Sequence, residues 1–271
     1  RRRHKRLRIL ERVFVDIVGE KFVPSLTFRG DVATGKYGGG NSYAVIYVDE
    51  ATERGFVDFI RTKDELEASV LRMTAHMEIE AQKSIDFKAG AQIRVGTFVS
   101  DRDSNMTSAK AVAQSLGRRI GQQLTARDRK NQTPRLDGYI RRVLDLTRTN
   151  LDQSGLSKPF WEFAMRDAVH MLELYPTSGH RAHHSALKRW HGRDLPLERR
   201  LKFGADVYPV LPVSERQEES KLDAMAPGGE GRYRLMGIEQ SYGLEGMGYR
   251  VLDVLSKPPQ MYVVGDLAGD E

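Results

Sequence analysis

Arg12-Val13-Phe14-Val15-Asp16 and Val95-Gly96-Thr97-Phe98-Val99-Ser100-Asp101 are two short hydrophobic runs, and each of them ends on an aspartate. A buried strand that ends on Asp places a carboxylate at the edge of a sheet. Two such strands side by side would bring the carboxylates close together, which is how proteins hold Mg²⁺ for phosphoryl transfer. The sequence therefore predicts a pair of carboxylates at one sheet edge, and a metal centre there would need a third acidic residue.

Strands and helices alternate around these two runs. Hydrophobic alternation predicts strands at 11–18, 42–48, 55–60 and 93–100, and one near Ile120. Helical spacing predicts helices after Thr62, over 104–116, from Thr133-Pro134, and from Ser157-Lys158-Pro159 to Tyr175. Three strands, a helix, a strand and further helices are typical of an α/β layered fold.

The buried face of each helix follows from its spacing. The predicted inward residues are Leu66, Val70, Met73, Met77 and Ile79; Leu136, Ile140, Val143, Thr147 and Leu151; and Trp161, Ala164, Met165, Ala168 and Leu172. We expect Thr62 to cap the first helix, with Glu65 three residues later. Gly138 costs about 1 kcal/mol inside its helix relative to Ala, which suggests a close approach there. Trp161 and Trp190 are expected to pack in the core.

Composition divides the chain into four segments. A basic arm at 1–10 precedes an α/β core at 11–175, a His-, Arg- and Gly-rich linker at 176–202 and a small β module at 203–271. The β module is predicted from short strands separated by Gly- and Pro-rich turns. The first residue is Arg, so we expect a fragment, a processed product or part of a longer chain. The chain contains no Cys and no apolar run of the roughly 18 residues that a membrane span needs, so no membrane partner is expected.

The net charge of +6 is concentrated in the arm. Residues 1–8 hold six Lys and Arg, and without them the 43 basic residues fall to 37, which equals the 37 acidic ones. A dense basic run favours a polyanion, and a solvated tail is the alternative. Residues 118–148 are also basic, with nine Lys and Arg against three Asp. The predicted phosphate contacts are Arg1, Arg2, Arg3, Lys5, Arg6, Arg8, Arg118, Arg119, Arg127, Arg129 and Lys130.

Four histidines, His180, His183, His184 and His191, lie close together in the linker. Such a set could bind zinc, but with no Cys and no helical His-x₃-His pair it is better suited to phosphate or backbone contacts. We therefore expect no bound metal here.

Six stretches, in order, resemble the integrase of copia-type retrotransposons. They are Phe14-Val15-Asp16-Ile17-Val18-Gly19, Val48-Asp49-Glu50-Ala51-Thr52-Glu53-Arg54-Gly55-Phe56-Val57, Thr62-Lys63-Asp64-Glu65, Val99-Ser100-Asp101-Arg102, Pro159-Phe160-Trp161-Glu162-Phe163-Ala164 and Leu201-Lys202-Phe203-Gly204. Lys221-Leu222-Asp223 and Gly248-Tyr249-Arg250-Val251 match the segment after the family's catalytic core. The resemblance implies an RNase H-like mixed five-stranded sheet flanked by helices, then a small β module. It also implies a DDE catalytic set, two Asp and one Glu that hold two metal ions for strand transfer.

The catalytic set is degenerate at its third position. Asp16 and Asp101 fall on the family's two Asp positions, but the Glu expected three residues after Gly138 is Arg141. The family's spacing after the second Asp falls on Asp137 instead, which could substitute for the Glu. Arg removes a metal ligand and adds a charge that does not titrate. We expect Arg141 to pair with Asp16 or Asp101; the alternative is pairing with Asp137 or Asp145 along its own helix.

The leading hypothesis is an integrase-like protein that has lost catalysis and kept its nucleic-acid-binding scaffold. It predicts no cofactor, RNA as the favoured partner over DNA, and neighbouring proteins in a ribonucleoprotein, with a mitochondrial ribosome as the specific candidate. The first alternative is an active, Mg²⁺-dependent nuclear integrase that uses Asp16, Asp101 and Asp137. The second is a protein-binding subunit of another organelle complex.

Overall fold

A five-stranded mixed sheet lies at the centre of the molecule. Its strands are β1 (Arg12–Val18), β2 (Tyr43–Asp49), β3 (Gly55–Ile60), β4 (Thr97–Ser100) and β5 (Gly121–Leu124), in the order β3-β2-β1-β4-β5. β1 and β2, and β2 and β3, are antiparallel, whereas β4 lies parallel to both β1 and β5. The computed structural model describes residues 7–26, 40–87, 92–101, 117, 119–124, 134–176, 184–193, 201–209, 232–240, 247–255, 260–264 and 267–268.

Helices cover both faces of this sheet. They are α1 (Leu66–Ala81), α2 (Pro134–Ser154), α3 (Trp161–Leu174) and α4 (Ala186–His191), with 3-10 turns before α1 and α3. Alternate residues of each strand point to opposite faces. Val13, Val15 and Tyr47 therefore pack with Met77 of α1 and Trp190 of α4. The opposite face packs against α2 and α3. The predicted α/β, RNase H-like class is confirmed.

That opposite face is formed by Phe14, Ile46 and Val99, which pack with Ile140 of α2 and Met165 of α3. Four of the five predicted inward residues of α2, all except Leu151, are buried, and Leu151 packs at the edge of the same face. Both tryptophans are in the core, as predicted.

Three details of the predicted helices are wrong. Ile79 is 54% exposed because it lies on the solvent side of α1. The Thr62 side chain makes no capping hydrogen bond, since the chain enters α1 through the 3-10 turn Lys63–Glu65. Gly138 is not a point of close approach: no heavy atom of the described residues lies within 4 Å of where its Cβ would be. The predicted helix at 104–116 lies outside the described residues.

The close approach occurs at Gly55 instead. A Cβ on Gly55 would overlap the hydroxyl group of Tyr139, which α2 presents to the start of β3. Tyr139 is buried. A glycine is therefore required where α2 meets the sheet edge.

The C-terminal segment forms a small β module against α3. Its elements are β6 (Tyr208–Pro209), β7 (Tyr233–Gln240), β8 (Met247–Asp253), β9 (Gln260–Val264) and β10 (Leu267–Ala268). β7, β8 and β9 form an antiparallel sheet, and β6 pairs with β10. Phe203, Met236 and Leu252 share a cluster with Phe160 and Ala164, so this module packs on the start of α3.

Part of the predicted linker 176–202 belongs to the core. α4 lies within it, Trp190 is fully buried, and Ser185 caps the helix by accepting a hydrogen bond from the Lys188 backbone NH. The segment boundaries at 10, 175 and 202 remain predictions. No helix in the described part of the chain has both the length and the apolar character that crossing a membrane requires.

Candidate active site

Asp16 lies in β1, and Asp101 directly follows the adjacent parallel strand β4. The register of β1 and β4 pairs Arg12 with Thr97 and Phe14 with Val99. Asp16 is the second residue after Phe14 in β1, and Asp101 is the second after Val99, one residue past the end of β4. Because β1 and β4 are parallel neighbours, both aspartates come at the same end of the sheet, where adjacent strands are about 4.8 Å apart. β1 continues to Val18 beyond Asp16, whereas β4 ends at Ser100.

The Asp16 side chain lies on the sheet face that α2 covers, and Val99, two residues before Asp101, packs on the same face. Side chains two residues apart point to the same face, and Phe14 and Val99 both pack in the cluster that contains Ile140. Asp16 is half-buried and accepts a hydrogen bond from its neighbour, the Ile17 NH, at 2.8 Å; Asp101 is exposed. The pair is thus reached from solvent through the Asp101 side.

Arg141 and Asp137, the two candidates for the third position, are both exposed on the flank of α2. Within the described part of the chain, Arg141 forms no ion pair with Asp16 or Asp101. It also forms none with Asp137 or Asp145. The Asp145 carboxylate is paired with Arg148, at 2.7 Å. Both expected pairings of Arg141 are therefore not found, because α2 directs its apolar stripe, not its cationic flank, at the sheet.

The described residues give the aspartate pair no third metal ligand. The described residues contain no group of three or more His, Asp or Glu that could hold a metal ion. Two divalent ions need carboxylate oxygens on several sides, and an exposed guanidinium offers none.

Of the linker histidines, His184 and His191 fall within the described residues, whereas His180 and His183 do not. The Nδ1 atom of His191 lies 3.2 Å from the carbonyl oxygen of Lys83. Burial lowers the pKa of His191, and the charge of Arg54 lowers it further. The His191 ring thus contacts the turn that follows α1.

Two of the predicted phosphate contacts can be located. Arg8 and Arg119 are exposed, and Arg119 has a positive φ of 60°. The Arg8 NH donates to the Glu11 carboxylate at 3.0 Å. The remaining nine, Arg1, Arg2, Arg3, Lys5, Arg6, Arg118, Arg127, Arg129 and Lys130, lie outside the described residues, so their roles stay predictions.

Asp49, which the sequence leaves outside the site, has a structural role. It is fully buried at the end of β2 and accepts hydrogen bonds from the Leu10 NH, the Thr52 NH and the Thr52 hydroxyl. Burial raises the pKa of its carboxyl, and the hydrogen bonds from Thr52 and Leu10 oppose that effect. Asp49 thus joins the β2–β3 turn to the chain segment before β1.

Sequence reasoning missed the buried cation Arg54. Only 3% of its side chain is exposed, and Nε and Nη2 lie 3.3 Å from Glu173 and 3.4 Å from Glu80. Its guanidinium also lies over the rings of Phe56 and Trp190. No local pattern marks Arg54, because its partners are 26 and 119 residues away.

Sheet order, flanking helices and the following β module define an α/β, RNase H-like class of protein. A search of curated proteins adds a similarity in sequence: the chain is 22% identical, over 253 residues, to the Retrovirus-related Pol polyprotein from transposon TNT 1-94 of Nicotiana tabacum. The similar region is 93% of this chain and 16% of that polyprotein. No protein-family model matches the chain. The similarity supports a retrotransposon-derived, integrase-like origin.

Proposed function

We propose that this chain is an integrase-like protein that binds nucleic acid, RNA in preference to DNA, and neither cuts nor joins it. The observation that supports this is the incomplete carboxylate set. Asp16 and Asp101 follow the paired residues Phe14 and Val99 of β1 and β4, while α2 carries an arginine at the position where the family has its third acid. An arginine at that position supplies no oxygen ligand for a divalent cation, and its fixed charge is suited to phosphate.

The basic arm is the proposed contact with the polyanion. Six cations in eight residues, with none of the chain's acids among them, give a local charge that attracts phosphate irrespective of sequence. We therefore propose an abundant structured RNA within a ribonucleoprotein as the binding partner. A mitochondrial ribosome is the specific candidate.

A strand-transfer assay tests the loss of catalysis. The full chain is incubated with donor DNA ends and a target duplex in Mg²⁺ or Mn²⁺, beside the matched double variant Asp16→Asn/Asp101→Asn. We expect both proteins to give only the background level of joined product. Joined product that depends on the two aspartates would overturn the proposal.

The salt dependence of RNA binding tests the role of the arm. For a single-stranded RNA, each phosphate contact contributes about 0.7 to the slope of log K against log salt, so deleting 1–8 should reduce the slope by roughly 4 if all six cations bind phosphate. Arg61→Ser/Arg94→Ser removes exposed charges elsewhere and is the control. An unchanged slope after the deletion would show that the arm is not the contact. If the full chain has no measurable RNA affinity, the protein-binding alternative is favoured.

The competing function is an active integrase, and one observation favours it: Asp137 lies in the first turn of α2, the helix that covers the aspartate pair. In that case strand transfer would fall to background in Asp137→Asn as well as in Asp16→Asn. Arg141→Gln, which removes the cation and leaves all three aspartates, would then raise the activity.

A further inference from the structure

A groove of about 790 Å³ opens at the edge of the inward face of α2, where the segment after β1 passes α2 and the start of α3. α2 contributes one stripe to its wall, formed by Leu144, Thr147, Arg148, Leu151 and Asp152. This spacing of three and four residues is that of a single helix face. Opposite this wall lie Phe22 and Val23, which continue the chain from β1.

The floor of the groove is apolar and firmly held. Phe22 packs on Trp161 with ring centroids 4.7 Å apart, and the Trp161 Nε1 group donates to the carbonyl oxygen of Val23 at 2.9 Å. Met165 is fully buried beneath them, whereas Leu144 and Leu151 are only partly buried and Val23 is 41% exposed. The groove is therefore preformed, and it leaves apolar side chains in contact with solvent.

The rim of the groove is basic. Lys21 and Lys158 are exposed lining residues from different segments, and neither is in an ion pair with a described residue. The third cation, Arg148, already pairs with Asp145, and Asp152 is the lining carboxylate. Lys21 and Lys158 thus give the rim an excess of positive charge around an apolar floor.

We propose that this groove binds an acidic amphipathic helix of a partner protein. Apolar anchors at helical spacing would fill the floor between α2 and Val23, and flanking carboxylates would pair with Lys21 and Lys158. The apolar floor favours a peptide over a nucleic acid, whose phosphates would gain nothing from Leu144, Leu151 or Trp161. The unpaired lysines favour an acidic partner over a second copy of this basic chain. The lining residues of the groove include neither of the two aspartates.

Fluorescence anisotropy with three labelled synthetic peptides tests the proposal on the full chain. The first peptide has Leu at i, i+3, i+4 and i+7 with Glu on the flanks; the second has Lys in place of Glu; the third has Ser in place of Leu. We expect the first to bind at least tenfold more tightly than the other two. Binding of the third as tightly as the first, or of the second as tightly as the first, would overturn the assignment.

Charge reversal locates the binding. In Lys21→Glu/Lys158→Glu the preference should reverse, so that the Lys peptide binds more tightly than the Glu peptide. Val23→Asp should weaken the Glu peptide at least tenfold, and the control Arg61→Glu/Arg94→Glu should leave it unchanged. These side chains are exposed, so unaltered circular dichroism is expected for every variant.

Two other occupants would refute the partner helix. If charge reversal at Lys21 and Lys158 weakens a 20-nucleotide single-stranded RNA but not the Glu peptide, the groove is a nucleic-acid surface. If sedimentation shows a dimer of the wild-type chain that Val23→Asp dissociates, the occupant is a second copy.

Discussion

The guanidinium carbon of Arg54 lies 4.6 Å from the centroid of the Trp190 ring. Arg54 leads into β3, whereas Trp190 belongs to α4, in the segment that the sequence predicts as a linker. Glu80 of α1 and Glu173 of α3 complete the contacts of the same guanidinium. One buried cation therefore joins four parts of the chain that are distant in sequence.

Replacing Arg54 by Met should destabilise the protein by about 3–5 kcal/mol, because Glu80 and Glu173 would keep buried negative charge without a cation. Urea unfolding followed by circular dichroism measures the loss. Arg72→Met is the matched control: it breaks the pair between Arg72 and Asp58, in which Arg72 is 48% exposed, and should cost at most about 1 kcal/mol. Equal losses of unfolding free energy in the two variants would show that the buried Arg54 cluster contributes no more than an exposed ion pair.

Trp190→Ala should cost about 3–5 kcal/mol, since it removes a fully buried ring from the cluster beneath the sheet. If α4 is part of the core, unfolding of the variant should remain a single transition at lower denaturant. Arg193→Ala, at an exposed position just after α4, should be close to neutral. A stable Trp190→Ala protein would mean that 184–193 is a linker after all.

Two Gly→Ala substitutions should have opposite effects. Gly55→Ala would drive a methyl group into the Tyr139 hydroxyl, and overpacking of this kind costs about 1–3 kcal/mol. Gly138→Ala meets no described atom within 4 Å inside α2 and should stabilise by about 0.5–1 kcal/mol. The two unfolding midpoints, measured side by side, check both signs. If Gly138→Ala is destabilised, another part of the chain approaches Gly138 closely, as the sequence suggested.

His76 and Glu80 should each lose their contribution to stability as the solution is acidified from neutral pH, whereas the raised pKa of Asp49 acts in the opposite direction. Burial lowers the pKa of His76 below its ordinary 6.5, so the unfolded chain binds the proton first and folding loses stability below pH 6.5. Burial alone would raise the pKa of Glu80, but the Lys83 hydrogen bond and the charges of Arg54 and Lys83 outweigh it and lower the pKa. A second loss should therefore begin below pH 4.5, the ordinary pKa of Glu.

Urea unfolding at pH 7.5, 6.0, 5.0 and 4.0 measures this profile. His76→Gln, which cannot titrate, should flatten the fall between pH 6.5 and 5.0, and Lys83→Met should reduce the loss below pH 4.5. A fall in His76→Gln as steep as in the wild type, or an unchanged loss below pH 4.5 in Lys83→Met, would contradict the corresponding assignment.

Local patterns were enough for most of the secondary structure. The strand at 55–60 was predicted with its exact bounds. Leu136, Ile140 and Val143 were correctly placed on the buried face of α2, because apolar residues at helical spacing mark the face that packs in the core. The same spacing failed at Ile79, where an apolar residue lies on the solvent side. Helical spacing identifies the buried face of a helix, but it does not show where that face ends.

The sequence by itself determined the kind of strands and helices, the two aspartates that follow the central runs, and the arginine three residues after Gly138. Only the tertiary structure decided that the two aspartates follow adjacent parallel strands, because that depends on the pairing of β1 with β4. It also decided the burial of Arg54, the close contact at Gly55 and the groove beside α2. The physical reason is that charge pairing, steric overlap and concave surface arise between segments distant in the chain, and no local pattern encodes their distances.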